Sequence, residues 1–134
     1  MFEFAGHLNE DEKRMANVFL IGVEQALAAR ISRTLAVERH RIEQKPGNIS
    51  VRDLIGADIV FAGGEPSQYL SLVRLVRREL PALPVVVVTR LPETKAWLDA
   101  LEAGATDYCS SPIESRQINW LMESALLQYR IVAA

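Results

Sequence analysis

VVVVTRLPETKAWLDALEAGATDYCSSP, residues 85–112, decides the fold. Val85 to Val88 are four β-branched residues in a row, preceded by Pro84 and followed by Thr89 and Arg90. An apolar run without polar alternation suits a strand buried on both faces, as in the middle of a parallel sheet. Pro92 suits the first turn of a helix, where its fixed φ and missing N–H do no harm. Gly104 ends that helix by supplying a left-handed C-terminal conformation. Tyr108 and Cys109 then fall on a short strand, closed by Ser111 and Pro112. Strand, helix, turn and strand make one parallel crossover unit.

Working toward the amino terminus, the same unit recurs. Pro66 to Leu80 predicts a helix with Tyr69, Leu72, Val73, Val76 and Leu80 as its inward stripe. It is preceded by a buried strand, Ile59 to Ala62, that Gly63 and Gly64 close. Ser50 caps a short helix through Ile55, after a turn at Pro46, Gly47 and Asn48 and a weak strand over 40–44. Val18 to Ile21 is the first strand. Ala26 to Val37 is the first helix, with Leu27, Ile31 and Leu35 at helical spacing. Toward the carboxyl terminus, a last helix begins near Ser115. Ile118, Leu121, Met122 and Ala125 form its core stripe. Alternating strands and helices predict an α/β fold, a doubly wound parallel sheet of five strands with helices on both faces.

The totals fit one such unit. A chain of 134 residues is one domain, and it carries 15 basic against 17 acidic side chains. That near balance gives no global pull toward nucleic acid or anionic lipid, so direct nucleic-acid binding is not expected. One cysteine forms no internal disulfide, and a reducing cytoplasm fits it. Apolar runs of a few residues cannot span a membrane. Residues 1–16 read as a polar leader lacking the apolar stretch of a secretion signal, and 17–134 as the folded domain.

Ligands of an open parallel sheet sit at the carboxyl ends of its strands. Gly22, Val23 and Glu24, Gly63, Gly64 and Glu65, Thr89 and Arg90, and Ser110 and Ser111 therefore converge there. Over roughly residues 17–130 the chain resembles the receiver domain of response regulators, the CheY-like variant of the flavodoxin-like fold. The resemblance implies the strand order 2-1-3-4-5. Ala57 to Ala62 resembles the family's strand leading to its phosphorylated aspartate, and Gly63 stands where that aspartate belongs. Gly22 and Val23 replace the acidic pair that holds magnesium, and Ser111 replaces the lysine before proline. Thr89 matches the family's hydroxyl residue and Tyr108 its aromatic switch position.

Those replacements remove the chemistry. Phosphoryl transfer needs a nucleophile and cations on the equatorial oxygens, and glycine offers no group to phosphorylate. Magnesium is held through carboxylates that are missing here. The domain is thus expected to be no enzyme and to bind neither metal nor cofactor. Glu24 and Glu65 reach the same end but are too few oxygens for a hard cation. Asp58 falls at the opposite edge, and Asp99 and Asp107 read as surface residues. Gly63 and Gly64 before a helix leave open a small anion or nucleotide site, although both named nucleotide fingerprints are absent and Glu65 repels phosphate. His7 and His40 lack partners at metal-ligand spacing. Arg74, Arg77 and Arg78 read as a solvated basic face.

What remains is surface. If Gly104 and Ala105 pack close to the sheet, Leu98, Leu101 and Ala105 point inward and Trp97 points out near Tyr108. Trp120, Leu127 and Ile131 form a second apolar line on the last helix, which therefore wants more than one neighbour. Receiver domains commonly use their fourth helix, fifth strand and last helix to dimerise or dock a partner. The resemblance implies a pseudo-receiver in bacterial signalling that acts through a protein partner or a second copy, without phosphorylation.

Overall fold

The computed structural model describes residues 15–90 and 94–133, with side chains of the last helix described to residue 127. Most of the expected polar leader, His7, Pro92 and the side chain of Ile131 lie outside that description. In chain order the elements are β1 (Asn17–Ile21), α1 (Gln25–Val37), β2 (Arg41–Lys45), β3 (Ile59–Ala62), α2 (Pro66–Glu79), β4 (Val85–Thr89), α3 (Thr94–Ala103), β5 (Asp107–Ser110) and α4 (Ser115–Ala133). The short helix expected after Ser50 is a single 3-10 turn, Val51–Leu54. All strand pairs are parallel, in the order β2-β1-β3-β4-β5.

The strand period of two sorts the core into two layers. Val18, Leu20, Ile59, Phe61, Val86 and Val88 face α1 and α4, where Leu27, Ile31, Leu35, Ile118, Leu121 and Met122 meet them. Phe19, Ile21, Val60, Ala62, Val85 and Val87 face the other way, onto Tyr69, Leu72, Val73 and Val76 of α2 and Ala100 of α3. Val85 to Val88 of β4 are therefore all apolar, because both faces of the strand are covered. β2, at the edge, is RIEQK and mostly exposed. Its Lys45 reaches Glu43 at 3.5 Å and lies 5.1 Å from the Phe19 ring centre, a charged edge that discourages strand pairing with other chains.

Two expectations fail in this layer. α3 is turned relative to the expected angle: Leu98 and Leu101 are exposed, and Ala100 is the buried position. Ala100 packs into the layer on the α2 side of the sheet, with Ala103 and Ala105 against it. Gly104 takes φ +113, as a helix-ending glycine, and a Cβ there would lie 2.9 Å from Arg77 Cδ. Arg77 itself is not part of a solvated basic face. Its Nη1 donates to Pro81 O at 2.6 Å and its Nη2 donates to Leu83 O, closing the turn after α2.

At the amino end of the sheet, Ala16 N–H donates to His40 Nδ1 at 3.0 Å. Burial lowers the imidazole pKa from 6.5, with Glu38 opposing weakly, so the folded state favours the neutral ring. A lowered folded pKa gives stability that is full above the unfolded value and lost as pH falls through the folded one. Melting curves at pH 8 and pH 5 are expected to show a larger acid loss for wild type than for His40→Gln. Equal losses would remove the linkage.

Candidate functional site

The loops after β1, β3 and β4 meet at the carboxyl edge of the sheet. Gly22 takes φ +66 and Gly64 φ +97, so both loops turn sharply on leaving their strands. Beside them lies an open cleft of about 400 Å³, lined among others by Glu24, Glu65, Tyr69, Thr89, Arg90 and Tyr108. No side-chain carboxylate stands at positions 22, 23 or 63.

The two carboxylates that do reach the cleft belong to helix starts. Glu24 Oε1 accepts from Leu27 N–H at 3.3 Å, capping α1. Glu65 occupies the N-cap of α2, and its own N–H donates to Gln68 Oε1 at 3.1 Å. Acidic groups suit these positions because helix N-termini carry partial positive charge. They also occupy the place where an anion would otherwise be drawn in. The aspartates are employed elsewhere: Asp58 Oδ2 accepts from Asn17 N–H at 2.8 Å at the amino edge, and Asp99 pairs with Lys95 at 3.2 Å. Asp107 Oδ1 accepts from Tyr108 N–H at 2.8 Å. Among the described residues, no group of three or more His, Cys, Asp or Glu could hold a metal ion.

Thr89 and Tyr108 are nineteen positions apart and are brought together by adjacent strands: their hydroxyl oxygens are 3.1 Å apart. Ser111 follows β5, and its N–H donates to Thr89 O at 2.8 Å. The loop continues through a cis Ser111–Pro112 bond to Ile113, whose carbonyl accepts from Arg30 Nε at 2.6 Å. Cys109 is buried, and burial with the nearby Asp107 charge pushes its thiol up to about 11, so it is no thiolate nucleophile at neutral pH.

Tyr108 has a second side. It lines the mouth cleft and also a shallow groove of about 620 Å³ with Trp97, Ser110, Ser111 and Gln117. Trp120 borders a smaller hollow of about 170 Å³ beside Thr106, Asp107 and Ser124. Trp97 and Trp120 thus flank β5, the edge strand opposite β2, and both are exposed, as are Leu98, Leu101 and Leu127. The exposure of Leu98 and Leu101 was missed because hydrophobic periodicity cannot tell a core stripe from an uncovered one.

No family model matches the chain. The solved NtrX from Brucella abortus superimposes with a TM-score of 0.79 at 18% identity, over 89% of this chain and 28% of that one. A solved NtrC4 receiver domain, described as a dimer, gives 0.71 at 13% identity, over 84% of this chain and 98% of that domain. The fold is that of a response-regulator receiver domain. In sequence, this receiver-like chain is 33% identical over 61 residues to the DNA-binding transcriptional regulator NtrC of Proteus hauseri. That match covers 46% of this chain and only 13% of the regulator.

Proposed function

We propose that the chain is a pseudo-receiver, a receiver fold that works by contact with a protein partner or a second copy and not by taking up phosphate. Its likeness to receiver domains supports a place in two-component signalling, where such domains are generally non-enzymatic modules. The single observation that carries the phosphorylation-independent part is Gly63 at the end of β3, with Gly22 and Val23 beside it: no carboxylate is there to accept a phosphoryl group or hold magnesium. The face of α3, β5 and α4, with Trp97, Tyr108, Trp120 and Leu127, is the docking surface. Thr89 helps to fix it through Tyr108, and Ser111 replaces the cation that would otherwise report on phosphate. A cytoplasmic setting suits the unpaired Cys109, and among the described residues no helix is long and apolar enough to cross a membrane.

A small-anion or nucleotide site beside Gly63 and Gly64 has less support, because Glu24 and Glu65 both line the adjoining cleft. The test is incubation with acetyl phosphate and magnesium, followed by intact mass and sedimentation. An unchanged mass, and an unchanged distribution of monomer and dimer, are expected. A hydroxylamine-labile phosphoryl adduct would overturn the proposal.

A further inference from the structure

The glycines at the mouth of the sheet are more than missing side chains. A Cβ on Gly63 would lie 3.0 Å from Val23 Cα, 3.1 Å from Val88 O and 3.4 Å from Gly22 O. All three are backbone atoms; the approaches to Val23 Cα and Val88 O are tighter than ordinary side-chain contacts, and Gly22 O lies at contact distance. A Cβ on Gly22 would lie 3.1 Å from Gly63 O and 3.3 Å from Gly47 Cα. One on Gly64 would lie 3.3 Å from Gly22 O and 2.6 Å from Gln68 Oε1. Hydrogen bonds tie the same chain segments: Gly22 N–H donates to Lys45 O at 2.9 Å and Gly63 N–H to Ile21 O at 3.0 Å. The loops after β1, β2 and β3 therefore touch through their backbones, and Gln68 spans from Gly64 to Gly47.

From this packing we infer that the mouth is a permanent latch: backbone fills the space that a side chain at position 63 would need, and it holds the loops in one state without any ligand. The latch deepens the phosphorylation-independent reading and rests on it, because it makes the docking face constitutive. It also means that the chemistry cannot be restored by returning one aspartate. The side chain of Gly63→Asp has no space to enter unless the loops part.

Gly63 is a clean probe because, unlike Gly22 and Gly64, it is not at positive φ, so a substitution there reports on space alone. Gly47 is the matched control, since its Cβ would meet only the Gln68 side chain, at 3.5 Å or more. Gly63→Ala is expected to lower the melting temperature by roughly 5–10 °C, and Gly47→Ala by about 2 °C or less. Equal, small shifts for the two would overturn the latch. Hydrogen exchange on the wild-type protein serves even if Gly63→Ala fails to fold. The Gly22 and Gly63 amides are expected to exchange among the slowest in the domain, and magnesium is expected to leave them unchanged. Fast exchange, or slowing by magnesium, would sink the inference. Phosphoryl uptake by wild type would instead sink the proposed function, so the two failures are distinguishable.

Discussion

Gly104→Ala is expected to be the most damaging small substitution outside the central strands, with a loss of about 3–5 kcal/mol. Two costs add. At φ +113 any L-side chain is strained. The new methyl would also press on the stem of Arg77, with Cδ at 2.9 Å. Arg77 cannot simply swing away, because its guanidinium donates to the Pro81 and Leu83 carbonyls and holds the turn between α2 and β4. Leu83 is itself buried, so a displaced guanidinium leaves an acceptor short of its partner. A domain of this size has a total stability of about 5–15 kcal/mol, so the melting temperature is expected to fall by roughly 10–20 °C. A double-mutant cycle by chemical denaturation separates the two costs. Arg77→Ala is expected to destabilise wild type but to cost much less in the Gly104→Ala background, since the clash is then gone. Strictly additive losses would show that the contact between Gly104 and Arg77 is not the cause.

This contact also shows where sequence reading stops. Gly104 was legible as a helix end because the left-handed conformation leaves a local signature, Gly-Ala after an apolar-periodic segment. The angle of α3 was not legible: its end meets the stem of Arg77, which arrives from another helix and lifts no hydrophobic signal. Leu98 and Leu101 look like a core stripe on a helical wheel, yet Ala100 takes the inward place and both leucines are exposed. Arg77 misled in the same way, since its acceptors, the Pro81 and Leu83 carbonyls, have no sequence signature. By contrast β4 was plain from Val85 to Val88, because burial on both faces leaves no polar position to confuse the pattern. The sheet order, in contrast, followed from the resemblance and not from any residue pattern. At the mouth, the identity of the residues at 22, 23 and 63 could be read from the strand ends. That Gly63 abuts Val23 and Val88 could not, because the contact joins three chain segments whose separation only the folded sheet sets.

If the face of α3, β5 and α4 joins two copies, Trp120→Ala is expected to weaken self-association by at least about a hundredfold. Trp120 is 57% exposed and Trp97 44%, so each has roughly 100 Å² left to bury, worth about 2.5 kcal/mol at 25 cal/mol per Å². In a two-fold dimer each substitution acts on both protomers, so the loss counts twice before the cost of imperfect packing is taken off. Even 3 kcal/mol is about 150-fold in the dissociation constant. The same exposure means that neither side chain contributes much to the fold of one copy, so the melting temperature of dilute monomer is expected to move little. Val37→Ala is the proper control, being 78% exposed at the end of α1, away from β5. Sedimentation across a concentration series reads all three proteins. A dimer that survives Trp97→Ala and Trp120→Ala as well as it survives Val37→Ala would place the contact elsewhere. A wild type that stays monomeric throughout would remove the second copy as occupant of this face.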